Sequence, residues 1–274
     1  MKINAILIPV LLIACYAKPQ DKNYIASTPA APAVRTFLGI PMTDSVDFIR
    51  WNLRFENDQY MLQCNYGIGK PNTNGFIGNG KKISLHNRLQ KEKNYCQLRN
   101  GSKILKVIEL NNNLLHLLDD HNNLLVGNGG WSYTLNNINP TIADQINITA
   151  TQTALKDSMV FEGRTPCGVP GIIASGTECY KLKWHVVLYA NVRQNQTGSY
   201  KLLGTPWRTE GGKNGNWKIV AGRNGQVLYQ LNNDKGDAFI YLLKTDENIL
   251  LFTDTYKNPL TGNEDFSYTL NRLQ

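Results

Sequence analysis

The residues of this chain that could do chemistry are few and widely spaced. Five cysteines, four histidines and four methionines are its soft ligands and sulfur nucleophiles. Cys64 and Cys96 lie in the first half and Cys167 and Cys179 in the second, with Cys15 near the start. In an oxidising compartment such cysteines pair, and four of them allow three connectivities. Pairing within each half is the simplest, because each half can then fold alone. Cys167 with Cys179 closes a short loop worth about 2–3 kcal/mol, whereas Cys64 with Cys96 needs neighbouring strands of suitable Cβ geometry. No two of His86, His116, His121 and His185 have ligand spacing on a strand. Met61 and Cys64 are three apart, on opposite faces of any strand. No metal site is therefore expected. If one exists, its ligands are Cys167 and Cys179.

Catalytic constellations fare no better. The glycine and lysine spacing of Gly75-Phe76-Ile77-Gly78-Asn79-Gly80-Lys81 meets that of a phosphate-binding loop. Lys82, however, stands where a Ser or Thr must ligand magnesium, and Ile83-Ser84-Leu85 reads as a strand where a helix is needed. Gly-x-Ser-x-Gly is absent. Asp119-Asp120-His121 looks chemical, yet a carboxylate at the start of a turn ordinarily accepts backbone N–H groups. No catalytic residue is assigned, and the expectation is a protein that is not an enzyme.

The elements that would position these residues come in two copies. Asn113–Ile138 aligns without a gap on Asn248–Leu273, and twelve of the 26 positions are identical, against roughly two by chance. Asp119/Asp254, Gly127/Gly262, Asn128/Asn263 and the run Ser132-Tyr133-Thr134-Leu135-Asn136 against Ser267-Tyr268-Thr269-Leu270-Asn271 recur. Upstream, Gln97-Leu98 matches Gln230-Leu231, Lys82-Ile83 matches Lys218-Ile219, and Trp51 matches Trp184. A period this long is a duplicated domain and not a solenoid. Short β-rich runs recur about every ten residues. The first half has them at 33–38, 48–55, 59–66, 81–86, 95–98, 104–110, 114–118 and 131–135. The second has them at 160–163, 181–190, 199–203, 217–221, 227–231, 239–243, 249–253 and 266–270. The fold predicted is all-β: two tandem lipocalin-like antiparallel β-barrels of about eight strands each, over 34–138 and 158–274, joined by a linker over 139–157. Such a barrel is filled by side chains or holds one small ligand. Trp51, Trp184, Trp131, Tyr133, Phe266 and Tyr268 recur on predicted strands, either as interior filling or as the lining of a cavity for a small apolar ligand.

The chain start reads as a targeting segment, 1–15. Lys2 and the apolar run Ile6–Ile13 lead to Leu12-Ile13-Ala14-Cys15, which resembles a bacterial lipobox with Cys15 as the lipid-bearing residue. The Ala- and Pro-rich stretch 16–33 reads as a flexible tether. The resemblance to enterobacterial lipoproteins, whose inner-membrane retention signal has Asp after the cysteine, implies the outer membrane for a chain with Tyr16 there. The absence of an acidic cluster there points to its periplasmic face. Partners expected are the membrane, through the anchor, together with an envelope protein or a small ligand. The net charge of +8 is spread evenly, which excludes a nucleic-acid footprint.

The motif Phe161-Glu162-Gly163-Arg164-Thr165-Pro166-Cys167, followed by Lys181-Leu182-Lys183-Trp184, resembles the opening of the N-terminal domain of NlpE-like copper-resistance or envelope-stress lipoproteins. Phe37-Leu38-Gly39-Ile40-Pro41 looks like a degenerate copy of it. The resemblance implies a lipocalin-like barrel on an outer-membrane lipoprotein linked to copper tolerance, surface sensing and envelope-stress signalling. The family's Cys-x-x-Cys is interrupted here, because Pro170 stands where the second cysteine would be.

Overall fold

The computed structural model describes residues 22–141, 146, 157–173, 178–191 and 196–273. The chain forms two closed antiparallel barrels of eight strands, each a simple meander. The first comprises β1 (Lys22–Thr28), β2 (Phe48–Glu56), β3 (Gln59–Gly67), β4 (Lys81–Lys91), β5 (Cys96–Asn100), β6 (Lys103–Asn111), β7 (Leu114–Leu118) and β8 (Thr134–Asn137). The second comprises β9 (Ser158–Thr165), β10 (Leu182–Ala190), β11 (Thr197–Gly204), β12 (Lys213–Ala221), β13 (Val227–Asn232), β14 (Ala238–Lys244), β15 (Ile249–Phe252) and β16 (Thr269–Arg272). Each last strand closes on the first, through Tyr24↔Asn137 and Ile25↔Asn136 in one barrel and Asn271↔Glu162 and Arg272↔Phe161 in the other. The alternation that made strands legible is the alternation that fills the barrels. Along β3, Tyr60, Leu62, Cys64 and Tyr66 point inward and are buried.

Two features of the first barrel differ from expectation. The segment 22–28, read as tether, is β1, so the barrel begins before residue 34. Tyr24 and Ala26 bury inward at period two. The expected strand at 33–38 is instead a helix, α1 (Pro32–Leu38). Proline at its first turn starts it, and Gly39 in the left-handed conformation, φ 74°, ends it. Val34, Phe37 and Leu38 share its buried face. The repeat of the second barrel's opening is therefore Tyr24-Ile25-Ala26-Ser27-Thr28 of β1 with Pro29 after it, against Phe161 to Thr165 of β9 with Pro166 after it. The ladders also shift one earlier pairing: Leu98 stands opposite Leu89 and Leu231 opposite Trp217, so Lys218 corresponds to Gln90 and not to Lys82.

The connection between first and second strands closes each barrel's mouth. Val34, Phe37, Leu38 and Ile40 join the interior of the first barrel. Val169, with Ile172 and Ile173, joins that of the second. There the connection is tied by the expected disulfide, Cys167–Cys179, with a Cα–Cα distance of 6.0 Å. The expected Cys64–Cys96 pair does not form, and both are free thiols. The register explains this. β4 lies between their strands, with Cys64 level with Ile83 and Cys96 level with Lys91. At a strand's rise that places them on the order of 25 Å apart along β4, far beyond the reach of a disulfide.

Candidate functional site

The aromatic residues singled out by the repeat separate into two groups. Trp51 and Trp184 are buried twins inside their barrels, and each indole N–H donates to a threonine hydroxyl on the preceding strand: Thr28 at 2.8 Å and Thr165 at 2.9 Å. Each threonine in turn donates to the carbonyl of the proline after it. Tyr133 and Tyr268 are also interior. The Tyr268 hydroxyl accepts the Gly168 N–H at 3.1 Å, which fastens the disulfide loop to the barrel, and burial pushes Tyr133 up to about 12. Trp131 and Phe266 were expected on interior strands but precede β8 and β16, and belong to neither interior cluster. Trp131 stacks on Phe48 at 4.8 Å with the Arg164 guanidinium 5.5 Å from its ring, while the Lys181 ammonium stands 5.4 Å from Phe266. Each stands on the outside of its barrel because the turn before the last strand, built on Asn128 or Asn263, carries it there. Asn128 accepts N–H groups from Gly130 and Trp131, and Asn263 those from Asp265 and Phe266.

The remaining candidates have structural partners. Asp119 accepts the N–H groups of His121 and Asn123 at 2.8 Å, and Asp254 that of Asn258 at 2.8 Å, so the shared aspartate caps a turn. Burial pushes the Cys64 thiol well above its ordinary value and raises that of Cys96, the opposite of what a nucleophile needs. Cys167 and Cys179 are bonded to each other, so their sulfurs can ligate copper only after reduction. Among the described residues no cluster of three His, Cys, Asp or Glu side chains has metal-holding geometry. Both interiors are packed with large side chains: Trp51, Tyr24, Phe37 and Leu53 in one, Trp184, Trp217, Phe161 and Phe252 in the other. Clefts of about 430–460 Å³ open instead on the outside. One lies over the outer face of β2–β4, lined by Arg50, Asn52, Gln63, Lys82 and Ser84, with Glu264 of the second barrel at its edge.

The feature that sequence reasoning missed is the junction between the barrels. The identities that reveal the repeat are the residues that join its two copies. Gly127 N–H donates to Asn271 Oδ1 at 2.7 Å, and Gly262 N–H donates to Asn136 Oδ1 at 2.8 Å. These are the same contact with the roles exchanged, the signature of a two-fold, isologous interface. Residues on such an axis meet their own counterparts, as Ser132 meets Ser267 at 2.5 Å and Thr134 meets Thr269 at 2.9 Å. A side chain at Gly127 or Gly262 would strike a carbonyl of its own turn at 2.1–2.2 Å, so only glycine lets the turn close beside the other barrel's asparagine. Around these polar contacts lies a shared apolar layer: Leu110, Leu114, Leu118, Leu124 and Ile146 against Leu228, Leu243, Ile249 and Leu251. The ion pair Arg50–Asp265, 2.6 Å, spans the junction at its rim.

The dyad is not exact, and it breaks most sharply in polarity at a buried histidine. His116 stands where the other copy has Leu251, fully enclosed, with Nδ1 2.9 Å from Thr134 Oγ1 and Nε2 2.9 Å from the Leu125 carbonyl. A carbonyl only accepts, so Nε2 carries the proton and Nδ1 accepts from Thr134. A one-way chain of hydroxyls follows, from Ser132 to Ser267, Thr269, Thr134 and His116. Burial pulls the imidazole down to about 4. The unfolded chain therefore takes up a proton near pH 6.5 that the folded chain refuses until about pH 4. The contribution is fully present above pH 6.5, falls as the pH drops, and levels off below 4. It amounts to about 3 kcal/mol. His116→Leu, the residue of the other copy, is expected to remove that slope from denaturant unfolding measured between pH 7 and 4. An unchanged slope in the variant would refute the assignment. Comparison with protein-family models, with curated proteins and with solved structures finds no match for this chain, so its functional reading rests on the geometry of its own barrels and their junction.

Proposed function

We propose that the chain is a lipid-anchored, non-enzymatic binding or sensing protein of the bacterial envelope, similar to the NlpE-like lipoproteins, that recognises its partner with its outer surface. The observation that carries this reading is the closure of both barrels. Side chains fill the interiors, and the connections from first to second strand cover their mouths. What remains for recognition is the outside of a two-barrel body and its clefts. The fold is also compatible with a lipocalin-like carrier of a small apolar ligand, but packed interiors favour surface recognition. Copper handling by Cys167 and Cys179 would require an open, reduced loop. The Leu12-Ile13-Ala14-Cys15 motif, which lies outside the described residues, supports anchoring at Cys15 and an outer-membrane, periplasm-facing location.

The test is metabolic labelling with a radioactive fatty acid in a Gram-negative host, followed by membrane fractionation. Label and membrane association are expected for the parent chain, and both should be lost in Cys15→Ala. An unlabelled, freely soluble parent would sink the anchor. Native mass spectrometry of the soluble chain from Asp21 onward, exported to the periplasm and purified without reductant, is expected to show one disulfide and two thiols with no adduct. Copper or an organic adduct in its place would replace surface recognition by the metal or carrier reading.

A further inference from the structure

β4 outruns its neighbour. It spans Lys81–Lys91, but β5 pairs with it only at Leu89↔Leu98, Gln90↔Gln97 and Lys91↔Cys96. From Lys81 to Arg88 the strand is paired with β3 on one side and, among the described residues, with no strand on the other. In the second barrel the corresponding β12 is paired with β13 from Trp217 to Ala221, and only Lys213–Asn216 projects beyond. The β5–β6 hairpin is too short to cover its neighbour, and an edge opens in the wall of the first barrel.

The direction of that edge follows from the ladder. Leu89 N–H donates to the Asp58 carbonyl on the β3 side at 2.9 Å, and the β3–β4 register is unbroken from Gln59↔Arg88 to Tyr66↔Lys81. An antiparallel strand reverses its hydrogen-bonding direction at every residue. Lys82, Ser84, His86 and Arg88 therefore aim their N–H and C=O groups away from β3, and for Lys82, Ser84 and His86 no backbone among the described residues meets them. Their side chains are exposed, while Ile83 and Leu85 turn inward and are only half-buried against the barrel core. Lys81 is held by Asp44 at 2.8 Å. Lys82 and Arg88 have no acidic partner among the described residues.

The geometry points to this edge as a docking site for an extended peptide of alternating acidic and apolar residues. An added strand would satisfy the outward backbone groups. Its side chains would alternate in step with β4: apolar ones beside Ile83 and Leu85, acidic ones beside Lys82 and Arg88. A second copy of the same edge is a poor occupant, because antiparallel pairing centred on Leu85 sets Lys82 opposite Arg88. Like charges there repel, as charged edges of natural sheets do to prevent self-association. The edge is the same whether or not Cys15 carries lipid, so its test is independent of the anchor.

The probe is a capped peptide of about eight residues alternating glutamate with valine, titrated into the full chain, with lysine replacing glutamate in the control peptide. Hydrogen exchange is expected to slow at the amides of Lys82, Ser84 and His86 on saturation, and the lysine peptide should not bind. Ser84→Pro removes an N–H that β3 does not use, so it should leave the barrel folded and abolish binding. The double variant Lys82→Glu/Arg88→Glu touches only exposed side chains and should raise Kd about tenfold or more. Equal binding of the two peptides, protection elsewhere on the molecule, or an unchanged Kd in the charge-reversed variant would each overturn the assignment.

Discussion

Ile249→Asp is expected to cost the protein about 5 kcal/mol and to split its unfolding into two transitions. Ile249 is fully buried, yet it is not part of a barrel interior. On β15, Leu250 and Phe252 point into the second barrel, while Ile249 and Leu251 point out of it into the layer shared with the first. The change removes an apolar side chain worth about 1.5–3 kcal/mol of burial and places a carboxylate in a buried apolar layer, adding a few kcal/mol more. Because the damage falls between the barrels, each should keep its strands while losing its hold on the other. Leu114 is the residue related to Ile249 by the dyad, and it lies in the same layer. Leu114→Asp should therefore match the effect to within about 1 kcal/mol, as expected for equivalent sites. The measurement is calorimetric unfolding of both variants beside the parent. A single transition close to the parent's would mean that the shared layer does not couple the barrels.

How much of this could be read in the sequence depends on which physical signal each element carries. β2 and β3 alternate cleanly, the last hairpins repeat, and the all-β, two-barrel fold followed from these two signals. β1 did not stand out, because Lys22-Asn23-Tyr24-Ile25-Ala26-Ser27-Thr28 is short of large apolar residues and follows a tether-like stretch. Its one bulky inward residue is Tyr24, and the strand is held by pairing on both sides. The helix after it was masked by its own proline, which reads as a breaker unless it is placed at the first turn. Disulfide partners depend on register, and register between β3 and β5 is set by β4, whose length the sequence understated by ending it at His86. The junction did leave a trace. Leu114-Leu115-His116-Leu117-Leu118 and Ile249-Leu250-Leu251-Phe252 have no polar alternation, the pattern of strands covered on both faces. Read together with the repeated Ser, Thr and Asn two residues apart, leading into and along β8 and β16, that pattern marks a second buried surface. It was legible only once the repeat was treated as an interface and not merely as a copied fold.

Whether the barrels are filled or hollow, which decides between surface recognition and ligand carriage, can be tested at the twin tryptophans. Trp184→Ala and Trp51→Ala are each expected to cost about 3–5 kcal/mol, the ordinary cost of emptying a large aromatic site in a packed core. Trp184 should lie at the upper end. Its ring packs edge-on to Trp207 at 5.7 Å and against Phe252 at 4.6 Å, and such pairs add about 0.5–1.5 kcal/mol. Trp184→Phe keeps most of the ring but loses the N–H donated to Thr165, whose own hydroxyl still reaches the Pro166 carbonyl. That variant should lose only about 1–2 kcal/mol. The informative readout is ligand binding. An apolar void left in a rigid core stays dry and accepts a small aromatic molecule. Indole should therefore bind Trp184→Ala and raise its denaturant midpoint, while leaving the parent unmoved. If the parent already binds indole, or if Trp184→Ala costs less than about 1 kcal/mol, the second barrel is not filled and the carrier reading gains over surface recognition. Because Trp51 makes the same hydrogen bond at the same place in the first barrel, repeating the titration on Trp51→Ala asks the question of each copy separately, and the duplicated architecture requires the same answer from both.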